Sequence, residues 1–219
     1  FWKAADAQVG DDFQINPEQI ELRYFGVLTK IFNVGRFASQ FDFEADLDKI
    51  PDNLENEDKW ILAEFSELLE KAKKGYSDLD IYTAAQGIKT FSTGIFASHW
   101  LEMAKTRLYN EDASATWTLH RIFRDLLSIL SPICPFFTHH LSTTLYEKSS
   151  VEVDVFPESP ITDTQSWTEK TDDLVEFNSV VWKAKKDAGV SLAAPISGHN
   201  VPSSLKEIES ALVAMHKLE

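Results

Sequence analysis

Apolar residues recur at helical spacing through most of the first two thirds of the chain. Ile20, Tyr24, Val27, Leu28, Ile31, Val34 and Ala38 fall on one helix face. Ahead of them, Asn16 is placed to cap, Pro17 suits the first helical position and Gln19 can reach back. The pattern dissolves in the acidic stretch 42–57, which holds Pro51 and Asn53 and reads as a loop. A second helix is predicted from about Asp58 to Lys74, with Ile61, Phe65, Leu68, Leu69 and Ala72 as its stripe and Gly75 placed to end it. A third begins behind Asp80, a capping residue, carries Ile81, Ala84, Ala85, Ile88, Phe91, Ile95 and His99, and runs to about Tyr109. Gly87 and Gly94 lie inside it and cost about 1 kcal/mol each against alanine in an exposed helix. Close approach of a neighbouring helix is therefore expected at both. A fourth helix, Ser114 to Leu130, has the cleanest stripe: Leu119, Ile122, Phe123, Leu126, Leu127 and Leu130. Pro132 and Pro135 interrupt it, and a short helix follows from Phe136 to Tyr146.

The pattern changes near Ser149. Residues 151–155 alternate valine with acidic residues, which reads as extended chain. A last long helix covers Asp172 to Ala188, with Leu174, Phe177, Val181 and Ala184 inward and Gly189 beyond its end. Residues 191–203 read as loop or short strand, and 204–217 as a short amphipathic helix. The predicted architecture is mainly α: an antiparallel helical bundle over residues 1–148, then an appendage over 149–219 forming a small mixed α/β tail. There is no internal repeat and no low-complexity segment.

Composition adds three restrictions. Hydrophobic residues make up 43% of the chain, with 15 Phe and 6 Trp, enough for a sizeable core. The net charge is −14, from 21 Lys and Arg against 35 Asp and Glu. That balance argues against loose, charge-driven binding to nucleic acid, so any RNA contact must use clustered basic residues or draw on affinity elsewhere. A single cysteine, Cys134, cannot make an internal disulfide, and a reducing, cytoplasmic setting is expected. No apolar run approaches a membrane span, and no leader opens the chain. It begins with Phe1 and is expected to start inside a longer polypeptide.

Catalytic and metal-binding constellations are missing. The 8 glycines are scattered and form no phosphate loop. His139 and His140 are adjacent, about 100° apart on a helix, and ill-suited to share an ion. Cys134, between Ile133 and Pro135, lacks a base and an electropositive niche and reads as a small core residue. A helical di-iron carboxylate site would need Glu-x-x-His pairs facing inward, and no suitably partnered pairs occur. No catalytic residue, metal ligand or cofactor is therefore expected in this chain.

Four local strings stand above this background, in a definite order. They are Phe1-Trp2-Lys3-Ala4-Ala5, then Asn33-Val34-Gly35-Arg36-Phe37, then Trp100-Leu101-Glu102-Met103-Ala104-Lys105-Thr106-Arg107-Leu108-Tyr109, then Leu130-Ser131-Pro132-Ile133-Cys134-Pro135-Phe136. Together they resemble the region that follows the catalytic domain in class I aminoacyl-tRNA synthetases for branched aliphatic amino acids, with the valyl type nearest. Trp182-Lys183-Ala184-Lys185-Lys186 also resembles that family's basic helix before its C-terminal unit. The resemblance extends to about Ile196. Departures are His139-His140 in place of Glu-Glu, and Thr106 in place of Pro. It implies a helical anticodon-binding region whose partner is the tRNA that accepts valine. ATP, Mg and the ligase chemistry would belong to catalytic and editing domains outside this chain, with which it would be covalently joined. A monomer is expected.

Reading a single-stranded loop requires bases splayed onto aromatic or arginine planes, with polar groups for their edges. Arg36 and Trp60 flank the acidic loop and are the leading candidates, with Asn33, Phe37 and Lys59 beside them. Lys183, Lys185 and Lys186, together with Lys105 and Arg107, are candidate phosphate contacts. Each has a plainer reading: Trp60 and Phe37 in the core, Arg36 paired with a loop carboxylate, the lysines on a solvated face, and Lys105 and Arg107 favoured by the dipole at a helix end. Two other readings compete: a helical protein–protein interaction module, favoured by the acidic charge, and the same region of a leucyl or isoleucyl enzyme.

Overall fold

The computed structural model describes residues 2–6, 10, 18, 25–146 and 155–219. Helix α1 is Trp2–Asp6. Helix α2, Gly26–Ala38, buries Val27, Ile31, Val34, Gly35 and Ala38, the expected stripe. The predicted cap at Asn16 and Pro17 lies outside the described residues. Helix α3, Asn56–Ser77, is buried nearly all round and forms the centre of the bundle. It does not end at Gly75. A Cβ there would stand 2.9 Å from the carbonyl oxygen of Asp80, so the missing side chain lets the next turn fold back against the helix.

Asp80 caps α4, Ile81–Thr90, accepting from the Thr83 amide at 3.1 Å. The expected long third helix is present, but its middle, Phe91–Trp100, is a π-helix, and only Leu101–Tyr109 returns to α geometry as α5. The wider turn stacks Phe91 on Phe96 and Phe96 on Trp100, at centroid distances of 5.7 and 5.3 Å with nearly parallel rings. The Thr93 carbonyl accepts from Ser98 Oγ and from Lys30 of α2, which ties α2 to the π turn. Gly87 gives the expected close approach, since a Cβ would meet Leu68 of α3 at 3.0 Å. Gly94 does not: nothing lies within 4 Å of its Cβ position.

Helix α6, Ala113–Leu130, is capped by Asp112, whose carboxylate accepts from the Ala115 amide at 2.8 Å. Helix α7 is Pro135–Tyr146. The boundary expected at residue 148, and four of the five residues expected to be extended, lie outside the described residues. Beyond them come α8, Gln165–Thr168, α9, Thr171–Asp187, a 3₁₀ turn, Ser203–Ile208, and α10, Glu209–His216. The only β pairing among the described residues is one parallel bridge, Ile196 with Leu218. The fold is mainly α, as expected. Leu174, Phe177, Val181, Leu205, Ile208 and Leu212 join the same apolar core as the bundle. Among the described residues, no helix is long and apolar enough to cross a membrane.

A buried polar network locks the C-terminal part down. Asn178 donates to His99 Nδ1 at 2.9 Å and accepts from His216 Nε2 at 2.8 Å. Lys185, wholly buried, donates to the carbonyls of Leu192 and His216 at 2.7 and 2.8 Å.

The bundle has two distinct ends. At one, α1 packs on the start of α4, with Ala5 against Ala85 and Ile133. At the other lie the C-terminus of α2, the start of α3, the C-terminus of α5 and the start of α6. Helical chain on the order of 40 Å long separates them along α4, the π turn and α5.

Candidate nucleic-acid interface

The second end carries a cleft of about 650 Å³. One wall is the segment after α2, from Gln40 to Ala45, and the other is formed by Leu108, Tyr109, Glu111 and the first turns of α6. The same helix that supplies the core stripe fixes the first wall. His120, Trp117 and Arg121 lie along one side of α6 at i, i+3 and i+4 spacing. They donate to the carbonyls of Phe41, Asp46 and Leu47 at 2.8, 3.2 and 2.9 Å. Phe43 lies over the His120 ring at 4.2 Å. Burial pushes His120 below the ordinary histidine range, so the neutral ring donates through Nε2.

Tyr109 is the most prominent aromatic here, 62% exposed at the last residue of α5. Phe41 and Phe37 meet it edge-on at 5.5 and 6.1 Å, and Phe37 meets Phe41 at 4.9 Å. This three-ring cluster leaves the tyrosine partly open to solvent while its back is held by carbon. Nothing singled Tyr109 out in the sequence reading. The available signal was that it falls out of phase with the stripe of Trp100, Ala104 and Leu108.

The site residues expected from sequence divide into two groups. Arg36 and Asn33 are exposed on α2, on the same side as Phe37 at i+3 and i+4 spacing. Among the described residues no carboxylate or other group engages the Arg36 side chain, so the ion pair considered above does not form. Gln40, one turn on, donates to the Arg36 carbonyl at 3.3 Å and continues into the cleft. Of the α2 candidates Phe37 reaches Tyr109, while Arg36 and Asn33 lie outside the cleft lining.

The remaining candidates do not line the cleft. Trp60 is wholly buried and donates through Nε1 to Thr171 Oγ1 at 2.9 Å, so it joins α3 to α9 and cannot stack on a base. Lys59 donates to Asn56 Oδ1 at 3.2 Å and is not part of the cleft lining. Arg107 is committed to Glu57 at 2.8 Å, Asp58 at 2.7 and 3.0 Å and Asp112 at 2.8 Å, and is not a phosphate contact. Burial alone would lower its pKa, but the hydrogen bonds and charge of Asp58 outweigh that and hold the guanidinium charged. Lys185 is buried under backbone carbonyls, not presented to solvent. Lys183 and Lys186 are exposed on α9, and Lys105 is half exposed beside Glu102. His139 and His140 form no metal cluster, and among the described residues no group of three or more His, Cys, Asp or Glu could hold an ion. Burial raises the Cys134 thiol, which suits an inert residue.

Comparison with known proteins shows the family. Residues 58–199 match the family described as the anticodon-binding domain of tRNA ligase. The valine–tRNA ligase of Aeropyrum pernix is 34% identical over 99% of this chain, and that of Pyrobaculum aerophilum 31% identical over 100% of it. That of Nanoarchaeum equitans is 27% identical over 100% of it. The chain covers 27%, 28% and 28% of those three proteins, so it spans little more than a quarter of their length. The matched family, the helical bundle and the aromatic cleft at its end lead to one conclusion: this chain belongs to the anticodon-binding domain family of tRNA ligases.

Proposed function

We propose that the chain is the anticodon-binding region of a valine–tRNA ligase and that the cleft between the Gln40–Ala45 segment and Tyr109 receives bases of the anticodon loop. The observation that carries this is the exposed Tyr109 ring, backed by Phe37 and Phe41, at the same end of the bundle as the exposed Arg36, which has no partner among the described residues. An aromatic plane and a free guanidinium are the groups that hold splayed bases. The exposed Lys183 and Lys186 supply phosphate contacts. ATP-dependent charging with valine, with its Mg, is the work of the remainder of the ligase, in the cytoplasm, and the chain acts as a monomer joined to that remainder.

Binding to an RNA hairpin carrying the valine anticodon tests this. Stacking a base contributes about 1–3 kcal/mol. Tyr109→Ala and Arg36→Ala should therefore weaken binding by at least about fivefold each. Arg36→Ala should leave Tm unchanged, since that side chain is exposed, whereas Tyr109→Ala should lower it by roughly a few degrees through loss of the edge-on contacts with Phe37 and Phe41. Unchanged affinity in both variants would refute the assignment of the cleft. Absence of any hairpin binding would favour a protein partner for this acidic surface.

A further inference from the structure

A stacking platform holds a base best when its plane is fixed before the base arrives. A ring that is ordered only on binding subtracts that ordering from the affinity. Whatever fixes Tyr109 is therefore part of base binding. Two rings lie against it, Phe37 and Phe41, and they differ in support. Phe37 stands on α2, where helical hydrogen bonds hold its backbone. Phe41 lies beyond the end of α2, and residues 41–46 form neither helix nor strand. The Phe41 amide donates to the Ala38 carbonyl at 3.0 Å, which ties the segment back to α2. Its carbonyl is held from another helix.

The group that holds it is His120, buried on α6, whose Nε2 donates to the Phe41 carbonyl at 2.8 Å. A carbonyl only accepts, so the neutral ring carries its proton on Nε2 and leaves Nδ1 as an acceptor, 3.3 Å from the Tyr146 hydroxyl. Phe43 covers the imidazole at a centroid distance of 4.2 Å, and Tyr146 meets both rings edge-on at 5.9 Å. The imidazole thus engages the segment twice, at the backbone of Phe41 and at the ring of Phe43. Its neighbours on α6, Trp117 and Arg121, take the carbonyls of Asp46 and Leu47, further along the same wall. Of these three donors, only His120 holds the residue whose ring meets Tyr109.

We propose that His120 is a positioning residue for base recognition: by donating to the Phe41 carbonyl it holds the cleft wall against Tyr109 before RNA arrives, so that an incoming base meets a preformed plane. This rests on the anticodon reading above and deepens it. His120 itself touches no base. The role needs a donor at the reach of Nε2, and neither an imidazole nor a charge. Glutamine carries an amide donor at that reach. Asparagine is one carbon shorter and places its amide where Nδ1 stands, beside Tyr146 and short of Phe41.

The test uses the whole chain and an RNA hairpin carrying the valine anticodon, at a temperature well below Tm. Ordering one ring on binding should make His120→Asn bind roughly 2- to 12-fold more weakly than the wild type. His120→Gln, which keeps the donor, should stay within about twofold. Coupling separates positioning from a general structural role. In a Tyr109→Ala background the asparagine change should alter affinity by less than about twofold, because the platform it serves is gone. A general loss of packing would instead weaken both backgrounds alike. If circular dichroism shows the asparagine variant unfolded, His120→Phe takes its place with the same expectation, since it keeps a ring beneath Phe43 and lacks the donor. Wild-type affinity in the folded donor-less variant would overturn the inference. So would equal weakening by glutamine and asparagine, or equal weakening in the two backgrounds. In those cases a loss of affinity in Tyr109→Ala alone leaves the anticodon reading standing. Unchanged affinity in Tyr109→Ala, or no hairpin binding by the wild type, would remove the inference together with the assignment of the cleft.

Discussion

Replacing Arg107 by methionine tests whether this cation serves the fold or the RNA. The substitution keeps most of the apolar stem and removes the guanidinium. In the native chain that group lies between Glu57, Asp58 and Asp112, its own side chain 19% exposed and that of Asp58 fully buried. Asp58 accepts in addition from Trp100 Nε1 at 3.1 Å and Ser114 Oγ at 2.6 Å. After the change those two neutral donors remain, and the buried carboxylate has lost its cation. Breaking a buried pair by removing one partner costs about 3–5 kcal/mol, far more than the 0–1 kcal/mol of an exposed pair. Each kcal/mol shifts Tm by about 2–4 °C in a protein of this size, so a fall of roughly 6–20 °C is expected. Urea titration monitored by circular dichroism gives the free energy directly, and the Asp58→Asn and double variants close a cycle for the pair. Hairpin affinity, measured well below the variant's Tm, should change by less than about threefold, with an unaltered salt slope. A stability loss below about 1 kcal/mol, or a salt slope reduced by about one, would refute the structural assignment and return Arg107 to the RNA.

Two further predictions follow from the C-terminal network. His216 donates through Nε2 to Asn178, while its buried Nδ1 has no partner among the described residues and Lys185 lies nearby, so burial, followed by the charge of Lys185, depresses its pKa from 6.5 to about 4. A histidine depressed in the folded state contributes stability that is present above pH 6.5 and is lost as pH falls toward 4. The loss from this residue is about 3 kcal/mol in full. The urea midpoint should therefore fall with pH across that window, and His216→Gln, which keeps an amide donor, should flatten the dependence. An identical pH profile in the variant would contradict the assignment. For the basic helix, Lys183→Gln and Lys186→Gln should each lower the salt slope of hairpin binding by about one, whereas Lys185→Met should leave the slope alone and reduce stability. A lowered slope in the Lys185 variant alone would reverse the division drawn here.

The lesson from Arg107 and Lys185 is one of phase. Lys185 follows Val181 by four residues and Phe177 by eight, in register with the inward face of α9. Arg107 stands in the same relation to Met103. A cation in phase with an apolar stripe points into the protein, where it must be paired or hydrogen-bonded. Trp60 differs, because α3 is buried on nearly every side and its stripe did not mark the limits of the core. Arg36, Asn33 and the exposed lysines on α9 fall out of phase with their stripes and are exposed as that predicts.

The order of apolar and polar positions determined the helices, the cap at Asp80 and the mainly helical class, because those follow from interactions a few residues apart. The ordered strings likewise carried the family. Local pattern could not place the π turn, which depends on a stack of three buried rings and on Lys30 reaching across from another helix. Nor could it assemble the cleft. Tyr109, Phe37, Phe41 and Glu111 come from separate stretches of chain, and they meet only because α6 holds the loop carbonyls while α2 and α5 end together. Burial, pairing and exposure of a given cation or ring are properties of what packs against it, and packing is settled by residues distant in the sequence.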